Sequence, residues 1–273
     1  MSVSRTWLAL ALVAAASLRA DSPPPQATPV VYPEGLVHGY LALRSLAGET
    51  LAAGDLLQRA RGDRVTSRLV FQFKDGSIHQ EDAVFSQRGH FRLLSYRLLQ
   101  KGPSFEQPLA VSIDGERGLV TVRYADDGEE KVETETVELP ADLANGLVPL
   151  LLKNGKPDAP PSMHLLAATP KPRLVRLETT AAGEVPFQVA GDTRKAVHYV
   201  VKVEIGGFTG ALAKLLGKQP PDTHVWIQHG EAPAFVRSEG PLYLGGPMWR
   251  IELADPRWQQ TSAASDAGAN GKR

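Results

Sequence analysis

The chain has 273 residues, with 30 Lys plus Arg against 30 Asp plus Glu, so its formal charge at pH 7 is zero. That balance removes the global electrostatic argument for a protein built around nucleic acid or an anionic membrane surface. There is no cysteine, which excludes disulfides, thiolate nucleophiles, thiolate metal sites and a lipid anchor on an N-terminal cysteine.

Residues 1–20 read as a signal peptide. Arg5 supplies a positive start, Trp7 to Ala16 is an apolar run, and Ser17 and Ala20 are small residues near a cleavage point. The run is shorter than the roughly 20 apolar residues a membrane span needs. The expectation is therefore an exported protein, periplasmic or secreted, with no transmembrane segment in the mature chain. Residues 21–35 hold Pro23, Pro24, Pro25 and Pro29 and read as an extended leader outside the core. Residues 36–257 read as a single β-rich domain and residues 258–273 as a disordered polar tail.

Strand signals dominate the domain. From Val65 to Phe73, Val65, Leu69, Phe71 and Phe73 share one parity while Thr66, Arg68 and Gln72 take the other, the alternation of a half-buried strand. Asp75-Gly76 follows as a hairpin pair of the type I′ kind. On the return, apolar parity switches between Ile78 and Ala83–Phe85, which suggests a bulge. Phe91 to Leu99 is apolar on both parities. Leu109–Ile113, Val120–Tyr124 and Lys131–Leu139 follow, separated by Asp114-Gly115 and Asp127-Gly128. Further strands are read at 174–177, 185–189, 199–205, 224–228, 234–237 and 248–253. Two segments lack alternation. Asp142 to Lys153 is expected to be a helix whose second half is strained by Pro149. Phe208 to Leu216, between Gly206-Gly207 and Gly217, is the second expected helix. The fold class that follows is mainly β: a curved antiparallel sheet, half-barrel or open barrel, of meander topology with two short helices.

Catalytic and metal motifs are sparse. None of the seven histidines forms H-E-x-x-H. His79-Gln80-Glu81 has the H-x-E spacing of zinc deaminases but lacks their cysteines. Asp222, His224 and His229 are weak candidates for imidazole and carboxylate metal ligands, and Asp222, His224 and Trp226 share a strand parity. No G-x-S-x-G elbow is present. Gly210 to Lys218 has the wrong spacing for a phosphate loop. The carboxylates Glu129, Glu130, Glu133, Glu135 and Glu138 read as a solvated edge strand rather than a calcium loop. No cofactor is indicated.

Three stretches carry a resemblance: VELPADLANGLVPLLLKN (137–154), HVWIQHGEAPAFVRSEG (224–240) and MWRIEL (248–253). With these, the chain resembles exported bacterial β-rich proteins grouped only as a domain of unknown function. Such proteins are similar to the half-barrels of periplasmic lipoprotein carriers. The resemblance implies a shell around an apolar ligand and transfers no catalytic residue. The expected function is a soluble, non-enzymatic binding or carrier protein for an apolar, lipid-like molecule. Its candidate ligand contacts are Phe71, Phe73, Leu147, Leu151, Phe208, Leu212, Leu215 and Trp226. An envelope assembly protein acting through protein contacts is the alternative, and a hydrolase with a dispersed Ser, His and Asp site is a weaker one.

Overall fold

A computed structural model describes residues 26–189, 191–204 and 220–254. The signal segment, the expected helix at 208–216 with Phe208, Leu212 and Leu215, and the tail lie outside the described residues.

Among the described residues, fourteen strands form one antiparallel sheet. In chain order they are β1 (Val37–Ser45), β2 (Thr50–Arg61), β3 (Arg64–Phe73), β4 (Ile78–Ser86), β5 (Arg92–Lys101), β6 (Leu109–Asp114), β7 (Leu119–Asp126), β8 (Glu129–Thr136), β9 (Met163–Ala167), β10 (Arg173–Val189), β11 (Asp192–Glu204), β12 (Thr223–Gln228), β13 (Ala234–Gly240) and β14 (Trp249–Leu253). The first eight make one meander and the last six another. They join where β14 pairs with β1, so the sheet runs β8 to β1, then β14 to β9. It is open, with β8 and β9 at its edges. The sheet curls enough that Val120 and Val122 of β7 share one buried cluster with Tyr199 of β11 and Ile227 of β12.

Turn chemistry differs between hairpins. Asp127 and Gly128 both have positive φ, 51° and 82°, which is the type I′ turn. Asp75-Gly76 does not form one. Phe73 N donates to Ser77 O and Gly76 N to Phe73 O, and only Gly76 has positive φ. The result is a three-residue loop with a glycine bulge. The bulge expected in β4 also falls elsewhere. Val84 pairs with Ser95 but Phe85 with Leu93, so the extra residue is Leu94 of β5. In β4 the inward set keeps one parity: His79, Ala83 and Phe85 are all buried.

One helix is described, α1 (Val148–Asn154). It starts later than the sequence suggests. Pro149 lies in its first turn, where the missing N–H costs nothing, so it strains no second half. The preceding residues are mostly turns, with Leu143 making a single parallel bridge to His164 at the sheet edge. Asp142 O accepts from His164 N, Ala144 N donates to His164 O, and the Asn145 amide bonds both Leu166 N and Leu166 O. This segment covers the edge of β9, whereas β8 bonds only β7 and is exposed on both faces.

The proline leader is not wholly apart from the domain. Phe91 N donates to Thr28 O, and Val31 N and Tyr32 N donate to Asn154 Oδ1 at the end of α1. Glu34 is buried, accepting from Gln58 Nε2 and pairing with Lys153.

Candidate functional site

The concave face of the sheet holds two clusters. The larger is aliphatic and built around α1, whose Leu151 and Leu152 are buried with Leu147 among residues of β3–β7 and β9–β12. The smaller lies at the other end of β3. Leu41, Leu43, Ala52, Phe71, Phe73, Phe105 and Trp249 form it. Register explains the placement: Ala52 faces Phe73 and Gly54 faces Phe71 across β2 and β3. Phe71 leans over β2 so closely that a Cβ on Gly54 would lie 2.4 Å from Phe71 Cε1. Only glycine leaves that ring its place.

Two loops cap this aromatic end. The β5–β6 loop supplies Phe105, which meets Phe73 at 5.5 Å, Tyr243 at 5.6 Å and Trp249 at 6.3 Å, all edge to face. The β13–β14 loop supplies Leu242 and Tyr243. Ser104 pins the first loop: its N donates to Ser77 Oγ and its hydroxyl to Asp75 Oδ2. The Ser104 hydroxyl and the Ser77 N–H hold the Asp75 carboxyl below its usual range.

A polar chain runs beneath the cap. Register sets Phe71, His79 and Gln100 side by side on β3, β4 and β5. Gln100 Nε2 lies 2.8 Å from Leu242 O and 3.0 Å from His79 Nδ1. Leu242 O can only accept, so the amide nitrogen faces it and donates to both partners. His79 Nδ1 is thereby the acceptor, and Nε2 carries the proton that is given to Glu81 Oε1 at 2.8 Å. The Tyr96 hydroxyl also stabilises this carboxylate. Burial alone would raise the Glu81 pKa, but the His79 hydrogen bond and the Tyr96 hydroxyl outweigh it and hold it low. Burial, then Glu81, pushes Tyr96 well above the ordinary phenol value.

This chain fixes geometry and exposes no reactive atom. Both His79 nitrogens are engaged, so neither is free to take a proton from a nucleophile. A Ser, a His and an Asp also converge near β9, but in the wrong order. Asp142 sits between Ser162 (2.5 Å) and His164 (2.8 Å), whereas a catalytic triad puts the histidine in the middle. Here the carboxylate pins the start of β9.

The sequence candidates separate. Phe71 and Phe73 line the aromatic end, and Leu147 and Leu151 belong to the aliphatic one. Trp226 is on the opposite, convex face, because Val225 and Ile227 are the inward residues of β12. His198 stacks on it at 4.5 Å and the Arg237 guanidinium lies 4.1 Å from its centroid. The three metal candidates are likewise apart. His224 bonds His198, His229 bonds the Tyr199 hydroxyl, and Asp222 faces Lys202 at 3.9 Å. Among the described residues no group of three His, Asp or Glu is placed to hold a metal ion. Gln100, Phe105, Tyr243 and Trp249 are not marked as site residues by the sequence, and His79 is marked only by its H-x-E spacing. The H-x-E spacing was the available signal, since on a strand it puts both side chains on one face.

These features define a mainly β protein with an open, fourteen-stranded antiparallel sheet. No family model matches the chain and no curated protein matches it. Among solved structures it is similar to a β-barrel-like protein of the domain of unknown function DUF1849 from Brucella abortus. The identity is 9% and the TM-score 0.42, over 81% of this chain and 97% of that one. A likeness at that level carries no functional inference. No described helix is long and apolar enough to cross a membrane.

Proposed function

We propose that the protein is an exported, non-enzymatic binding or carrier protein whose half-barrel takes an apolar, lipid-like ligand at its aromatic end. The observation that carries this reading is the capping of that end by loop side chains. Phe105 and Tyr243 come from loops rather than strands, and few hydrogen bonds hold them down. An apolar ligand replaces loop aromatics with its own surface, gaining roughly 25 cal/mol per Å² buried before ordering costs. Phe71, Phe73 and Trp249 stay as the fixed wall. The aliphatic end is filled by α1 and supports no second ligand.

The test is native mass spectrometry of protein purified from a cell envelope without detergent, compared with the denatured chain. The expected result is a reproducible extra mass of lipid size, together with uptake of a fluorescent apolar probe that Phe105→Trp weakens. A bare mass with no probe uptake overturns the reading. The alternative, an envelope assembly protein, is favoured by one feature, the unpaired edge of β8. Crosslinking of that strand to another envelope protein is its signature.

A further inference from the structure

The convex face of β3–β7 holds a second feature, on the side of the sheet away from the aromatic end. A groove there encloses about 340 Å³. Leu98, Val111 and Val122 point inward, so their strand neighbours Arg97, Ser112, Thr121 and Arg123 point out. Register aligns Arg68, Asp82, Arg97, Ser112 and Thr121 across five adjacent strands. Arg123 follows two residues after Thr121 and lines the same groove.

The charges there do not cancel. Asp82 is already engaged: Oδ1 accepts from Arg68 Nε at 2.6 Å and Oδ2 from Gln80 Nε2 at 2.6 Å. Arg97, in the centre, has no ion pair or hydrogen bond among the described residues. Among the described residues Arg123 reaches only Glu130, at 3.9 Å and well exposed, an arrangement of little strength. Three guanidinium groups, of Arg68, Arg97 and Arg123, thus line one groove that holds a single carboxylate, Asp82, which Arg68 and Gln80 already engage. The Ser112 and Thr121 hydroxyls lie between Arg97 and Arg123, and Leu99 and Ala110 flank them. A guanidinium fork matches an oxyanion with two parallel hydrogen bonds. The volume is within the range of small-molecule sites.

We propose that this groove binds a phosphate group, with Arg97 as its main ligand, Arg123 as the second, and the Ser112 and Thr121 hydroxyls completing the set. A soluble phosphate ester and a phospholipid headgroup present the same oxyanion, and the apolar flank suits the organic part of either. The site is independent of the apolar ligand proposed above, so each can fail without the other.

The test titrates the 15N-labelled full chain with inorganic phosphate at low ionic strength, following arginine Nε–Hε resonances, with chloride at matched ionic strength as control. The Arg97 resonance is expected to shift saturably with phosphate and not with chloride. Arg97→Gln should weaken phosphate binding roughly tenfold or more and Arg123→Gln by a smaller factor. Arg194→Gln, on the distant β10–β11 hairpin, should leave it unchanged. Both mutated groove side chains are exposed, so the variants should keep the wild-type melting temperature. Equal shifts with chloride, or affinity within twofold of wild type in both groove variants, overturns the proposal. A second arm sediments the protein with phosphatidylcholine vesicles with and without phosphatidic acid. Cosedimentation that needs phosphatidic acid and is lost in Arg97→Gln assigns the headgroup. Saturable phosphate binding without cosedimentation assigns a soluble ester.

Discussion

The two ends of the concave face are closed by different means. At one end the chain fills its own sheet with a helix, and Leu151 and Leu152 pack among aliphatic residues from nine strands' worth of wall. At the other, rings from two loops lie over rings from strands, held by Asp75, Ser77 and the Gln100–Leu242 bond. A helix anchored on both sides leaves its place only when the sheet unfolds. A loop can lift while the sheet persists. The aliphatic end therefore carries global stability, and the aromatic end is where local opening is cheapest.

The strongest way to sharpen that contrast is Leu152→Ala. Leu152 is fully buried, and truncation there should cost about 2–5 kcal/mol of global stability in urea unfolding. A loss under 1 kcal/mol would mean that the plug is loosely held and the contrast is wrong. Gln100→Leu should cost less, about 1–3 kcal/mol, since it strips a donor from Leu242 O and from His79 together. Its distinctive effect is local: amide exchange in residues 241–247 should quicken while that of β10 and β11 falls only in step with global stability. Uniform acceleration throughout would show that the cap and core open together.

How far the sequence foretold this contrast depends on what each end is made of. The strand Val65–Phe73 was legible because large apolar residues alternate with polar ones. β1 and β2 are not legible in the same way: the inward face of β2 includes the small Ala52, opposite Phe73, and Gly54, kept small by the Phe71 ring and Leu41. The start of α1 was misplaced because Asp142–Asn145 pairs with a strand that only tertiary structure brings near. The polar chain was hidden for a related reason. His79 and Gln100 count as outward residues in any hydrophobic pattern, and their burial depends on Leu242, 142 positions from Gln100. Reading His79 as outward is what moved the bulge into β4. Phe105 and Tyr243, lying in loops, follow no period at all.

The smallest expected effect is alkaline and belongs to the aliphatic end. Burial pushes the Tyr199 hydroxyl, bonded to His229, up to about 12. An acid whose folded pKa exceeds its unfolded value of 10.0 stabilises the fold in its protonated form. That contribution is complete below pH 10 and lost as pH rises toward 12. Wild-type stability should therefore fall across this window more steeply than that of Tyr199→Phe. Parallel curves would remove Tyr199 from the account.

The strand order also bears on how the molecule forms. Each meander can assemble hairpin by hairpin from neighbours in sequence, but the β1–β14 seam between them cannot. Arg44 and Glu252, paired across it at 2.5 Å, are 208 positions apart. Bringing such distant segments together requires loop-closure entropy to be spent before any seam contact rewards it. The middle of the finished sheet is thus its slowest joint to make. Until it zips, each half presents an unmated strand edge, the kind of transient surface that a chaperone guards.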